Sequence, residues 1–158
     1  MNKLPVIILF MAFLYGCAKT NKSITCTNAT PASEEPEIIR YCNANGINAV
    51  KDTSGLYYQV LNPGTPPMPD INDTVSVTFT GKFLDGTVFS QSGDSPPRGS
   101  LSAFIDGWVI GLQYIGKGGQ MKMVIPSALA YGCQGYYPIP ANEILYFDIT
   151  LAEVVKVP

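Results

Sequence analysis

Apolar and polar residues alternate from Val75 to Thr80, where Val75, Val77 and Phe79 are separated by Ser76, Thr78 and Thr80; this is the pattern of a strand buried on one face. The same period of two runs through Leu145, Phe147, Ile149 and Leu151, with Tyr146, Asp148 and Thr150 between them, and predicts a long last strand. Met121, Met123 and Ile125 make a shorter one, ended by Pro126. Leu56–Leu61, rich in Tyr and Val, makes another that stops at the turn cluster Asn62, Pro63 and Gly64. Asp85 and Gly86 form a tight turn into Thr87, Val88 and Phe89. The period changes at Ile105, Trp108, Leu112 and Ile115, whose spacing of three, four and three marks one face of a short helix. Ahead of the strands, Ser33 as cap, Glu34 and Glu35 in the first turn, and Gly46 after Asn45 predict a helix over Glu34–Asn45, with Ile38, Ile39, Tyr41 and Cys42 on its apolar side. Thr65–Asp73, Gln91–Ser100 and Ala130–Asn142 read as loops. The sum is an α+β domain: one twisted antiparallel sheet of about five strands with one short helix across it.

Composition narrows the chemistry. Of 158 residues, 46% are apolar and 14% charged, enough for a packed core, and the net charge of −2 offers no basic surface for nucleic acid. The chain has no histidine, which removes Ser-His-Asp triads, Cys-His dyads and His-bearing zinc sites together. No cofactor and no metal are expected. Any catalysis has to be gentle.

Lys3 followed by the apolar stretch Leu4–Tyr15 reads as an export signal. Its ending, Leu14, Tyr15, Gly16 and Cys17, resembles the lipobox of bacterial lipoproteins. That resemblance implies residues 1–16 as signal peptide, a lipid on Cys17, and attachment to the cell envelope, with the periplasmic face of an outer membrane as the expected address. Residues 17–32 are poor in apolar side chains and read as a flexible tether; residues 33–53 hold the short helix and a linker, and residues 54–158 the main domain. Beyond Cys17 stand Cys26, Cys42 and Cys133. Pairing of Cys26 with Cys42 across a short loop, and three reduced thiols, are both open at this point.

Four segments occur in a familiar order. V-T-F-T-G-K-F-L-D-G-T-V-F at Val77–Phe89 and F-I-D-G-W-V-I-G-L at Phe104–Leu112 are followed by G-G-Q-M-K-M-V-I-P-S-A-L-A-Y-G at Gly118–Gly132 and I-P-A-N-E-I-L-Y-F-D-I-T-L at Ile139–Leu151. Together they resemble the FKBP-type peptidyl-prolyl cis-trans isomerases over Ser54–Val155. The resemblance implies a sheet wrapped around a short helix, with an apolar pocket between them for the proline of an X-Pro substrate. Position by position it implies Phe79, Phe89, Ile139 and Phe147 as walls, Trp108 as floor, Phe104 beside it, and the Ile105 N–H and Tyr131 hydroxyl as donors to substrate carbonyls. It further implies proline-containing polypeptides as substrates, macrolide inhibitors as ligands, and a monomer.

Three departures from the family pattern stand out. Ser90 follows Phe89 where the family has Asp. The segment from Ser90 to Ala103 is short, with Leu101 the nearest candidate for a further pocket aromatic. Val109 and Ile110 take places that are charged in the family, and are expected either to pack under the N-terminal helix or to form a client-binding patch. A second function therefore stands beside the isomerase: a low-activity chaperone or adaptor lipoprotein built on the same fold.

Overall fold

A computed structural model describes residues 25–93 and 95–157; the signal segment and the first half of the tether, Cys17 included, lie outside the described residues. The elements in chain order are α1 (Pro31–Ala44), β1 (Val50–Lys51), β2 (Tyr57–Asn62), β3 (Thr74–Phe83), β4 (Val88–Gln91), β5 (Arg98–Ser100), α2 (Asp106–Gly111), β6 (Gln120–Ile125) and β7 (Leu145–Val155). The strands join in one antiparallel sheet, in the order β1-β2-β6-β7-β3-β4, with β5 also on β3. Its spine is the β3–β7 ladder, from Thr74 opposite Val155 to Phe83 opposite Leu145, with a bulge between Ser76 and Val77. The expected strands are all present. The sheet gains β1 and β5, of two and three residues, from stretches read as linker and loop. Segments that short carry no period to recognise.

One face of the sheet packs on α2 and the 3-10 turn Leu112–Tyr114 that continues it. Trp108, Leu112 and Ile115 meet Met121, Met123, Ile125, Phe147, Ile149 and Leu151 there, all buried. The helix lies very close: a Cβ on Gly107 would stand 2.5 Å from the Ile125 side chain, and one on Gly111 would collide with the Met123 sulfur. The other face is covered by α1, whose Ile38 and Cys42 pack with Ile47, Tyr57, Val124, Ile144 and Tyr146. Burial on both sides explains why Met123–Ile125 and Leu145–Phe147 run apolar without a break. Among the described residues no helix is long and apolar enough to cross a membrane.

Several expectations are corrected. The N-terminal helix starts at Pro31 and is capped by Thr30, whose Oγ1 accepts from the Ser33 N–H at 3.2 Å. Pro31 thus takes the first-turn place where a missing N–H is harmless, and Pro36 sits inside the helix. Val109 and Ile110 do not lie under α1. They are half-buried, and Ile110 packs on the core at the α2 face, because α1 occupies the opposite side of the sheet. Cys26 pairs with Cys133, not with Cys42, which is a buried free thiol turned into the α1 interface. Residues 26–29 accordingly lie against the 132–142 loop, so this end of the expected tether is attached to the domain.

Candidate active site

Where the start of α2 faces the β3–β4 end of the sheet, a cavity of about 320 Å³ opens. Phe79, Phe89, Ser90, Phe104, Ile105, Trp108, Tyr131 and Phe147, all singled out from the sequence, line it. Ile139 does not. It is buried, 6% exposed, in the same core cluster as Trp108 and Phe147. Leu101 is likewise fully buried in the core. Pro97 and Ala103 complete the wall. Sequence reasoning passed over both, since only the pairing of β5 with Thr74–Ser76, and the Val77 N–H donating to the Pro97 carbonyl at 3.1 Å, bring that loop to the cavity.

The aromatic side chains form one connected cluster around Trp108. Phe79 and Phe147 meet its ring edge-on, at centroid distances of 5.1 and 5.3 Å, and Phe104 stacks on it at 5.3 Å with 27° between planes. Phe89 meets Phe147 at 5.6 Å and 90°. Edge-to-face pairs of this kind add about 0.5–1.5 kcal/mol each beyond their buried area, so the rings support one another in the wall. Local backbone supports it: Gly81 lies opposite Phe147 in the ladder and leaves room for the rings. Ser92 replaces a missing strand partner for Phe79, its hydroxyl accepting from the Phe79 N–H at 2.9 Å.

Polar groups are few. Among the described residues, none that lines the cavity is charged. Ile105 is the N-cap of α2, its carbonyl taken by the N–H groups of Trp108 at 2.9 Å and Val109 at 3.1 Å. As the residue before the first turn, it keeps its own N–H outside the helical ladder. Burial, with a smaller contribution from Tyr136, pushes the Tyr131 hydroxyl above its ordinary range, so it stays a protonated donor at neutral pH. The buried Trp108 indole N–H finds no partner among the described residues. Such a site can enclose a small apolar ring and direct a few donors at carbonyl groups beside it. Among the described residues it has no general acid or base suited to breaking bonds. Among the described residues no group of His, Cys, Asp and Glu is placed to hold a metal.

Residues 66–152 match the family described as FKBP-type peptidyl-prolyl cis-trans isomerase. The chain is 44% identical over 110 residues to the FKBP-type peptidyl-prolyl cis-trans isomerase FkpA of Aeromonas hydrophila, covering 68% of this chain and 41% of that protein. It is 42% identical over 121 residues to FkpA of Escherichia coli K12, covering 75% and 44%. It is 39% identical over 106 residues to the outer membrane protein MIP of Legionella longbeachae, covering 65% and 46%. The fold is similar to the crystal structure of FkpA from Escherichia coli, with a TM-score of 0.72 and 36% identity over 81% of this chain and 62% of that one. A peptidyl-prolyl cis-trans isomerase from Pseudomonas syringae pv. tomato superposes with a TM-score of 0.67 and 31% identity, over 82% of this chain and 99% of that one. The chain belongs to the FKBP-type peptidyl-prolyl cis-trans isomerase family. It spans less than half the length of the three curated relatives named here.

Proposed function

We propose that this protein is a peptidyl-prolyl cis-trans isomerase that acts on X-Pro bonds of exported polypeptides. The observation that carries the reading is the aromatic cavity, with no charged side chain among its described lining residues and with Ile105 and Tyr131 in its wall. Rotation about an X-Pro bond is slow because amide resonance sets a barrier of about 18–20 kcal/mol. No bond has to form or break to lower it; the twisted amide has only to be bound better than the planar one. A twisted amide loses resonance, and its carbonyl becomes ketone-like and less dependent on water. Phe79, Phe89, Trp108 and Phe147 grip the proline ring and exclude water, which favours that state. The Ile105 N–H and Tyr131 O–H hold the flanking carbonyls while the bond turns. Each tenfold gain in rate needs about 1.4 kcal/mol of such differential binding.

In this reading Ser90 stands in for the family's aspartate at the cavity edge, the protein works as a monomer, and macrolides compete for the cavity. The lipobox-like segment ending at Cys17 supports anchoring by a lipid to the cell envelope, facing the periplasm. Incorporation of labelled palmitate, lost in Cys17→Ser, tests that part separately.

The test of the activity is cis-to-trans isomerisation of a short X-Pro peptide by the purified protein. Acceleration that a rapamycin-like macrolide blocks, and that Tyr131→Phe reduces about fivefold through loss of roughly one hydrogen bond, is the expected result. A folded protein that binds peptide without accelerating it sinks the isomerase reading and leaves a client-binding adaptor.

A further inference from the structure

The family match begins at residue 66, yet the loop that carries Tyr131 is fastened at both ends by residues 26–34. On the upstream side, the Glu34 carboxylate accepts from the Ser127 N–H at 2.9 Å and from its hydroxyl at 2.6 Å, both buried. Downstream, Cys26 is bonded to Cys133, whose N–H donates to Asn28 Oδ1 at 2.8 Å. Asn142 closes the far end: its Oδ1 accepts from the Ala29 N–H at 3.0 Å, and its Nδ2 donates to the Thr27 carbonyl at 3.4 Å. The contact is tight. Gly132, in the left-handed region at φ 56°, has no room for a side chain, since a Cβ would stand 2.5 Å from Asn28 Oδ1.

Between β6 and β7 this loop has only two 3-10 turns, Ser127–Leu129 and Gly132–Gln134, and one bridge between Tyr136 and Ile139; it pairs with no strand of the sheet. Loops of that length without their own strands open easily unless something outside holds them. Tyr131 lies within it, lines the cavity, and stacks on Tyr136 at 5.5 Å.

We infer that residues Cys26–Glu34 form a brace that keeps Tyr131 in the cavity wall, and that Cys26, Asn28, Cys133 and Asn142 are positioning residues for the reaction. The inference rests on the isomerase reading of the cavity. The disulfide is the fastening that can be released without touching the cavity. Cys26 is exposed and Cys133 half-buried. Cys42 is no competitor for exchange, being buried under α1 with its thiol pKa pushed up by that burial. A dithiol such as dithiothreitol splits the Sγ–Sγ bond, leaves a thiol on each cysteine and becomes a cyclic disulfide, passing two electrons and two protons to the protein.

The experiment compares kcat and KM of the full chain for an X-Pro peptide when oxidised, when reduced, and as Cys26→Ser/Cys133→Ser, each with and without Tyr131→Phe. If opening leaves Tyr131 in place about a tenth of the time, KM rises about three- to fourfold, within the fivefold that Tyr131→Phe itself costs, and Tyr131→Phe loses most of its effect in the opened protein. An unchanged KM together with an undiminished Tyr131→Phe effect overturns the inference. Amide hydrogen exchange tests the brace without relying on turnover: opening is expected to speed exchange across residues 131–139 and leave β6 and β7 as they were. Equal exchange in both states overturns the brace even in an active enzyme. A loop that loosens in an inactive protein keeps the brace and sinks the isomerase reading instead.

Discussion

Gly81 faces Phe147 across β3 and β7, and the space its side chain would fill is where the cavity's rings lie: a Cβ there would stand 2.8 Å from the Phe147 ring and 2.7 Å from that of Phe89. A backbone position in the middle of a strand thus shapes the substrate site. Gly81→Ala is expected to push both rings toward the cavity, lower stability by about 1–3 kcal/mol through overpacking, and raise KM for an X-Pro peptide. Urea unfolding and steady-state isomerisation check the two effects.

Phe104 lines the cavity, and its ring stacks on Trp108 at 5.3 Å. A side chain of this size narrows the cavity on that side. Phe104→Val is expected to admit a bulkier ring and tighten macrolide binding several-fold, the equivalent of about 1 kcal/mol. Calorimetric titration with a rapamycin-like ligand measures it, and weaker binding by the variant counts against the steric account.

Glu34 is buried, 8% exposed, and its carboxylate is taken up by two bonds from Ser127. Glu34→Ala strands a buried N–H and hydroxyl, and bonds to a charged acceptor are worth about 1.5–3 kcal/mol. The expected loss of stability is of that size, against a loss within about 0.5 kcal/mol for Glu37→Ala, whose salt bridge to Arg40 is exposed. Denaturant midpoints of the two variants decide.

Asp73 links the start of β3 to the chain end. Its carboxylate accepts from Lys156 Nζ at 2.7 Å, the Asp70 N–H at 2.6 Å and the Val157 N–H at 2.9 Å. The Lys156 bond first, and then the backbone bonds, pull its pKa from an ordinary 3.8 to about 2. A depressed pKa means the folded state holds the proton less well than the unfolded one, so this contribution to stability is complete above about pH 4 and fades as pH falls toward about 2. The gap in melting temperature between the wild type and Asp73→Asn is expected to narrow over that window and stay constant from about pH 5 to 8. A constant gap down to pH 2 would show that the carboxylate's charge is not what Asp73 contributes.

How much of this was legible beforehand depended on the range of the interaction. Val75–Phe79, Met121–Ile125 and Leu145–Leu151 declared themselves as strands because a pleated backbone turns alternate side chains to one face, so their burial is written locally. Phe79, Phe89, Ile105, Trp108, Tyr131 and Phe147 were found together because the four motifs that hold them fall in the order and spacing of the family. Ile139, from the last of those motifs, sits in the core cluster beside Trp108 and Phe147: its neighbours in sequence say that it is apolar, not which side chains it will meet.

The amino-acid order by itself determined the strand pattern, the helix under the cavity and the aromatic cast of the site, since these follow from periods of two and three to four residues and from side-chain chemistry. Only the tertiary structure decided that α1 covers the far face of the sheet, that Pro97 and Ala103 close the cavity, and that Cys26 and Glu34 clasp the loop of Tyr131 at Cys133 and Ser127. Those contacts join residues 93 and 107 positions apart. No local period records which distant partner a buried carboxylate or a thiol will meet; that choice is made when the sheet closes and brings the two segments side by side.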